Sequence, residues 1–388
     1  MTDVHLSLDY KAGTNSKFLC RMFKGDVSKI GDYSCDSNVD IVKSGIEAMS
    51  SIKGDADFIL HSGDFGEHFA LSHTSTLESG VQIQAYLDQF FPETPIIFSI
   101  GNHEVWPLQS QRPNDPQFKG IADAVSSIFT NEEYAAFVKN AYYSKVIGGL
   151  RILSLNTALY YGMNPEAAFL FGDPGGQFAW IASELDLAEQ LGQKVLIVGH
   201  VPPGFGYSLP DRLWPMLNDE LVNSLELPEE RKGLIVGCFW GHEHRDSLRI
   251  GETVAHWIAP ALTTWKDRNP GVRLYEFDDN DYSILSYKQY SLDLKKAIET
   301  QEYTWDLLYT SQEVGLTTLN QDQAKKRIER IFSDQEEWDQ FVYLENGGAD
   351  HEPISDYHKL RLFCGMQFLK VTDYIKCKFN QEEEQEEY

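Results

Sequence analysis

The chain has 388 residues, of which 42% are hydrophobic and 24% are charged. This composition is typical of a folded globular protein and excludes a chain that is disordered throughout. The formal net charge of -26 disfavours nonspecific binding to nucleic-acid polymers. No apolar run approaches the roughly 20 residues that a membrane-spanning helix needs.

The first two thirds of the chain alternate short apolar runs with amphipathic runs. The apolar runs are rich in Ile, Leu and Val, and they predict buried strands at 56–61, 95–100, 151–155, 194–198 and 234–239. Helical spacing predicts helices at 39–52, 77–91, 132–140 and 177–191. Asp36 or Ser37 is available as the N-cap of the first helix. This alternation predicts a layered α/β domain, with a site formed by loops at one rim of the sheet.

Other strand patterns predict a second sheet. A hairpin is expected at 143–147 and 150–156, around Gly148 and Gly149. A further antiparallel set is expected at 253–258, 272–277 and 282–287. Strand patterns cease at about residue 292, and helices are predicted at 321–332, 335–344 and 356–378. We therefore expect two packed sheets with helices outside, in a main α/β domain at 1–290. A helical C-terminal subdomain at 291–380 and an acidic disordered tail at 381–388 complete the prediction.

The five cysteines leave two alternatives open. Pairing of Cys20 with Cys35 and of Cys364 with Cys377 would leave Cys238 as a buried thiol and would indicate an oxidising compartment. The alternative is five reduced thiols in a cytosolic protein. The chain starts directly before Asp3, without a signal peptide or preceding strand residues, so we expect that a longer N-terminus has been trimmed.

Five short sequence patches carry seven candidate metal ligands. Asp3 and His5 are two residues apart, so on a strand both side chains would point to the same side. Asp64 follows an apolar run and Gly63, which lets the backbone turn, and it is the candidate bridge between two cations. Asn102 lies in the run Gly101-Asn102-His103-Glu104 after a predicted strand, and its amide oxygen is a neutral ligand.

The remaining candidate ligands are histidines. His200 closes the predicted strand at 194–198, and His242 and His244 repeat the spacing of two after the strand at 234–239. Mixed nitrogen and oxygen ligation suits Zn²⁺, Mn²⁺ or Fe and does not choose among them. Two divalent cations side by side can clamp a phosphoester and activate water.

The order D-x-H, GD, GNHE, GH and GHxH resembles that of the calcineurin-like metallophosphoesterases. A narrower set of runs resembles the acid sphingomyelinase-like phosphodiesterases: 2–5, 63–68, 199–204, 241–246 and 269–273. The resemblance implies a four-layer α/β/β/α sandwich, two zinc ions, and hydrolysis of phosphodiesters by a hydroxide that bridges the metals. It implies phosphocholine lipids such as sphingomyelin, or nucleotides, as substrates, and a secreted or lysosomal location. Cys20/Cys35 and Cys364/Cys377 match disulfide pairs of the family.

The resemblance also implies roles beside the metals. His68 would bind the substrate phosphate, and His103 would protonate the leaving group, as a departing alkoxide requires. Trp265 would line the pocket edge, where an indole can hold a choline cation or stack on a nucleobase. Tyr160 and Tyr161 are expected either to line the pocket or to pack in the core.

Two expectations concern what the protein acts on. The saposin-like domain of true acid sphingomyelinase is not among these residues, so we expect water-soluble phosphodiesters to be cleaved better than sphingomyelin in a bilayer. The alternative to an enzyme is a non-catalytic scaffold that keeps metals for stability while it binds a partner.

Overall fold

The structure, a computed structural model, describes residues 1–206 and 212–386, with side chains up to Asn380. The strands of the described residues are β1 (Ile59–His61), β2 (Ile96–Phe98), β3 (Tyr143–Ile147), β4 (Leu150–Ser154), β5 (Lys194–Val198), β6 (Ile235–Trp240), β7 (Ser247–Ile250), β8 (Ala255–Ile258), β9 (Gly271–Phe277), β10 (Ile284–Leu292) and β11 (Trp305–Thr310). The helices are α1 (Val39–Lys53), α2 (His73–Phe90), α3 (Gln117–Ala124), α4 (Asn131–Asn140), α5 (Gln177–Gln190), α6 (Pro215–Leu225), α7 (Leu294–Thr300), α8 (Gln321–Ser333), α9 (Gln335–Glu345), α10 (Asp356–Gln367) and α11 (Val371–Glu386).

Six strands form one mixed sheet in the order β3-β4-β5-β6-β8-β7. The inner strands β4, β5, β6 and β8 are parallel, and β3 and β7 are antiparallel to their neighbours at the two edges. Parallel strands covered on both faces read as continuous apolar runs, which explains why these strands were predictable.

A second β layer faces this sheet. It consists of the parallel pair β1-β2 and the three-stranded antiparallel sheet β11-β10-β9. Along β5, Leu196 and Val198 pack in the core between the two layers, whereas Val195 and Ile197 pack against apolar residues of α5 and α6. Helices α1 and α2 pack on the second layer, where Val42 and Ile46 of α1 and Ile83 and Leu87 of α2 join the apolar core. The predicted four-layer α/β/β/α arrangement is confirmed.

Three strand predictions need correction. β8 was expected in the antiparallel set, but it pairs in parallel with β6 in the main sheet. Strands do not cease at residue 292, because β11 pairs with β10. β11 is an edge strand with exposed Asp306 and Leu307, so its sequence carries no buried apolar run. β7 was not predicted.

The helices of the structure differ from the predicted ones at an N-cap, at one break and in three additional helices. The N-cap of α1 is Asn38, which accepts from the Ile41 N–H; Asp36 and Ser37 do not cap it. The predicted helix at 356–378 is interrupted after α10, and the chain resumes as α11. Helices α3, α6 and α7 were not predicted. The backbone of α11 reaches Glu386, and the side chains of the predicted acidic tail at 381–388 lie outside the described residues.

The structure decides between two disulfides and five reduced thiols, which the cysteine spacing left open. Cys20 bonds to Cys35 and Cys364 to Cys377, while Cys238 is a buried thiol. Two disulfides fit a secreted or lysosomal protein. None of the described helices has the length and hydropathy needed to span a bilayer.

Candidate active site

The candidate ligands lie on loops that follow strands at one edge of the two β layers. Asp64 follows β1, Asn102 follows β2, His200 follows β5, and His242 and His244 follow β6. The N-terminal segment runs beside the loop after β1, since the Asp3 N–H donates to Gly63 O (3.0 Å) and the His5 N–H to Asp64 O (3.1 Å). The structure therefore brings all five sequence patches together.

Backbone strain is concentrated at these residues. Five of the seven candidate ligands adopt the left-handed region, which L-residues other than glycine seldom occupy: Asp3 (φ 48°), His5 (41°), Asp64 (56°), His242 (72°) and His244 (58°). Each such conformation costs about 1–3 kcal/mol and persists only where the surrounding structure imposes it, as at functional sites. The side chains of Asp3 and His5, and those of His242 and His244, were expected to point the same way because residues two apart do so on a strand. That reason was wrong, since these four residues adopt the left-handed conformation instead.

One group of donors centres on His5. Its Nε2 atom lies 3.0 Å from His244 Nε2 and 3.6 Å from Asp64 Oδ2. His244 Nε2 lies 3.5 Å from Asp3 Oδ1. Two imidazoles and two carboxylates thus converge on one position.

The second group shares Asp64 with the first. His200 Nε2 lies 3.0 Å from Asp64 Oδ2 and 3.0 Å from Asn102 Oδ1. The ligand atoms of Asp64, His200 and His242 all lie within 4.8 Å of one another. The Asp64 carboxylate is the link between the two groups.

Hydrogen bonds orient the imidazoles for ligation. His5 Nδ1 contacts Gly66 O at 2.7 Å, and His200 Nδ1 contacts Ser62 O at 2.7 Å. A carbonyl oxygen can only accept, so Nδ1 carries a proton in both residues and Nε2 is the atom that faces the site, where a bound cation would replace any proton on it. His242 Nε2 is buried and has no hydrogen-bond partner among the described residues. This donor set fits divalent cations.

The carboxylates of the site favour positive charge beside them. Burial raises the pKa of Asp3 to about 6, and Asp64 adds to this rise. Burial acts to raise the pKa of Asp64 as well, but His200 and His103 outweigh it and hold that pKa well below its usual value. Burial acts to lower the pKa of His200, but Asp64 and Asp3 raise it to about 9. Burial holds the pKa of His5, His242 and His244 well below the usual value, so these imidazoles are neutral.

Glu104 was not assigned a role from the sequence, although it belongs to the GNHE run. Its carboxylate accepts N–H groups from Gly101 (2.5 Å), Asp64 (3.1 Å) and Phe65 (2.7 Å). Burial, with Asp64 adding to it, raises the pKa of Glu104 to about 8. Glu104 thus ties the loop that carries Asp64 to the loop that carries Asn102.

His68 lies beside the donors. Its Nδ1 contacts Asp36 Oδ1 at 2.5 Å and its backbone N–H donates to Asp36 Oδ2 at 2.8 Å. The His68 ring stacks between His5 (3.8 Å between centroids) and Trp265 (5.0 Å). Asp36, which was expected to cap a helix, fixes His68 instead.

His103 is held by its backbone rather than by its ring. The His103 N–H donates to Asp64 Oδ1 (2.9 Å), and the ring centroid lies 4.9 Å from those of His5 and His68. Its buried Nδ1 has no hydrogen-bond partner in the described part of the chain. Burial lowers the pKa of His103 to about 4.

A cavity of about 420 Å³ opens over these residues. Its lining includes the side chains of Asp64, His68, Asn102, His103, Gln109, Tyr161, Met163, His242, Glu243, His244, Arg245, Lys266 and Arg268. Tyr161 therefore lines the cavity, whereas Tyr160 is buried against Phe178. Trp265 stacks on His68, which belongs to this lining, and its role at the pocket edge stays a prediction. The cationic residues of this lining, Arg245, Lys266 and Arg268, were not predicted, because nothing in their spacing separates them from ordinary surface residues.

Comparisons with known proteins show the family of this chain. Residues 1–246 match the family model of the calcineurin-like phosphoesterases, and residues 252–385 match that of the acid sphingomyelin phosphodiesterase C-terminal region. The chain is 31% identical over 346 residues to sphingomyelinase phosphodiesterase C of Dictyostelium discoideum, covering 81% of this chain and 76% of that protein.

Two human proteins are also similar. Acid sphingomyelinase-like phosphodiesterase 3b of Homo sapiens is 29% identical over 410 residues, 98% of this chain and 89% of that protein. Cyclic GMP-AMP phosphodiesterase SMPDL3A of Homo sapiens is 30% identical over 335 residues, 80% of this chain and 73% of that protein. The family match implies two divalent metal ions. The chain therefore belongs to the calcineurin-like phosphoesterases, as a phosphoric diester hydrolase of the acid sphingomyelinase-like family.

Proposed function

We propose that the protein is a zinc phosphodiesterase with two metal positions that share Asp64. Asp3, His5 and His244 would complete the first position, and Asn102, His200 and His242 the second. The observation that supports this most is the place of the Asp64 carboxylate, with one oxygen 3.0 Å from His200 Nε2 and 3.6 Å from His5 Nε2. Four imidazoles among seven donors favour zinc over harder cations, which prefer oxygen ligands.

The side chains around the metals would divide the remaining tasks. Two bound cations polarise a phosphodiester and activate water. His68, fixed by Asp36, would donate a hydrogen bond to a phosphate oxygen. His103, whose ring lies 4.9 Å from that of His68, would give a proton to the departing oxygen once a bound phosphate anion has raised its pKa from the low value that burial sets.

The substrate would be a phosphodiester of the lipid or nucleotide class. The relatives named above act, by their names, on sphingomyelin in one case and on cyclic GMP-AMP in another. Arg245, Lys266 and Arg268 in the cavity lining would draw a phosphate anion towards a protein whose net charge is -26. A panel with sphingomyelin in detergent micelles, CDP-choline and cyclic GMP-AMP would identify the preferred class.

Metal content and activity test the proposal together. We expect about two zinc ions per chain, because seven donors exceed the four-coordinate need of one zinc ion. Asp64→Asn should lose hydrolysis of bis(p-nitrophenyl) phosphate and part of the zinc. The matched control is Asp57→Asn, which removes an exposed carboxylate near β1 and should leave both unchanged. Zinc binding without hydrolysis of any phosphodiester would instead favour the scaffold alternative.

A further inference from the structure

An exposed apolar surface lies beside the active site. It is formed by Met22 and Phe23 on the loop closed by the Cys20–Cys35 disulfide, by Phe18 just before that loop, and by Phe69 and Leu71 after His68. Between 44% and 77% of each side chain is exposed. We call these five residues the apolar patch. Exposed apolar side chains grouped in one region mark surfaces that contact another protein, a ligand or a membrane.

The apolar patch is fixed in place. The Arg21 guanidinium donates to Phe69 O (3.2 Å) and pairs with Glu67, which joins the two loops. The rings of Phe18 and Phe23 pack at 4.6 Å between centroids. The Phe69 ring lies 5.6 Å from Trp265, and Trp265 stacks on His68. The patch and the active site are thus parts of one continuous surface.

The segment that carries Phe18, Met22 and Phe23 has a net charge opposite to that of the whole protein. The segment 8–29 contains five basic residues and only two acidic ones, Asp9 and Asp26, in a chain of net charge -26. Lys11, Lys17, Lys24 and Lys29 are all exposed. Aromatic and Met side chains beside lysines suit an anionic lipid surface, where rings enter the headgroup boundary and lysines meet phosphates. A second copy of the chain would instead bring two lysine-rich segments together.

We propose that the apolar patch docks the protein on an anionic lipid surface, with the active site beside the contact. This deepens the proposed function, since it places hydrolysis at a membrane, but the docking itself needs no catalysis. The two can therefore be measured separately on the zinc-loaded protein.

Vesicle co-sedimentation tests the docking. Wild type should bind vesicles of phosphatidylcholine with phosphatidylserine, and binding should weaken with added salt. Met22→Ser/Phe23→Ser should lower the partition coefficient about tenfold or more, because burying one large apolar side chain contributes more free energy than a tenfold change requires. Lys17→Glu/Lys24→Glu should lower binding to anionic vesicles.

The matched control is Phe169→Ser/Phe171→Ser, which removes two aromatic side chains that are 77% and 71% exposed on another segment. It should bind as wild type does. All variants should keep hydrolysis of bis(p-nitrophenyl) phosphate, which shows that they are folded. Failure of wild type to bind anionic vesicles, or equal losses in control and patch variants, would overturn the docking while leaving the proposed function intact. A dimer that Met22→Ser/Phe23→Ser abolishes would also overturn it, in favour of self-association.

Discussion

At the residue scale, the site depends on side chains whose roles are set by their neighbours. Asp36 and Ser37 both suited a helix N-cap in the sequence, but Asp36 holds His68 and the Ser37 hydroxyl donates to Leu262 O. Short polar residues near a helix start are therefore ambiguous until the partners across the fold are known.

His103 provides the sharpest chemical test. If its imidazole protonates the leaving group, His103→Ala should lower kcat by about 10²–10⁴-fold, the usual range for general acid catalysis. The loss should be smaller for bis(p-nitrophenyl) phosphate, whose leaving group departs with little protonation. Kinetics on this substrate and on a diester with an alkyl leaving group, with zinc content measured in parallel, decide the role. Equal losses on both substrates would show that His103 only binds phosphate.

Buried His256 makes stability depend on pH. Burial lowers its pKa to about 3, its Nδ1 accepts from Trp240 Nε1 (3.0 Å), and its Nε2 has no partner among the described residues. The unfolded chain binds a proton at His256 near pH 6.5. The neutral residue therefore contributes fully to the free energy of unfolding above that pH, and this contribution declines as the pH falls towards 3. At pH 5 the loss is about 2 kcal/mol.

His256→Asn keeps an acceptor for Trp240 but cannot titrate. Between pH 7 and pH 5, wild type should lose about 2 kcal/mol more free energy of unfolding than this variant. Denaturant titrations at the two pH values measure this difference. His351→Asn, at an exposed position, is the control and should follow wild type. Parallel pH profiles of wild type and His256→Asn would contradict the prediction.

At the element scale, the C-terminal helices support the loop after His200. The Phe205 ring stacks on Tyr374 of α11 at 3.9 Å between centroids, and Arg361 of α10 donates to Gly206 O (3.4 Å). The Cys364–Cys377 disulfide joins these two helices across their break. The segment predicted from the sequence as a helical C-terminal subdomain therefore contacts the loop that follows His200.

Removing this disulfide should destabilise that contact. The bond closes a loop with a sequence separation of 13, for which constraint of the unfolded chain contributes about 3 kcal/mol. Cys364→Ser/Cys377→Ser should lower the free energy of unfolding by about this amount in denaturant titrations. Cys238→Ser, at the buried thiol, leaves both disulfides intact and separates loss of the bond from loss of a thiol. Unchanged stability of the double variant would refute the prediction.

At the scale of the whole molecule, the candidate metal ligands come from both β layers. They follow β1 and β2 in one layer and β5 and β6 in the other, and Asp3 and His5 come from the N-terminal segment. Cations bound by this set would therefore stabilise the relative arrangement of the layers.

Zinc should raise the stability of the entire fold. At a free concentration of one thousand times its Kd, a ligand that binds only the folded state adds about 4 kcal/mol per site. Thermal unfolding should show a higher Tm with zinc than after chelation, and Asp64→Asn should show a smaller rise. Mg²⁺ should have less effect, since it prefers oxygen ligands. A Tm that does not respond to zinc would exclude a structural contribution of the metals.

The sequence by itself determined the strands β1, β2, β4, β5 and β6 and the seven candidate ligands that follow the strands or begin the chain. These strands are covered on both faces, so their apolar runs are continuous and can be recognised in the sequence alone. Edge strand β11 and helices α6 and α7 depend on neighbours distant in sequence and carried no comparable pattern.

Only the tertiary structure decided how the ligands reach one another. Left-handed backbone at Asp3, His5, Asp64, His242 and His244 turns the side chains into the site, and no local pattern of these residues encodes it. Long-range hydrogen bonds impose that strain, such as those from the His242 N–H to the Asp3 carboxylate at 2.9 and 3.0 Å. The Asp36–His68 contact and the stacking of Trp265 on His68 were also decided by the tertiary structure. These partners are far apart in the chain and meet only in the folded molecule.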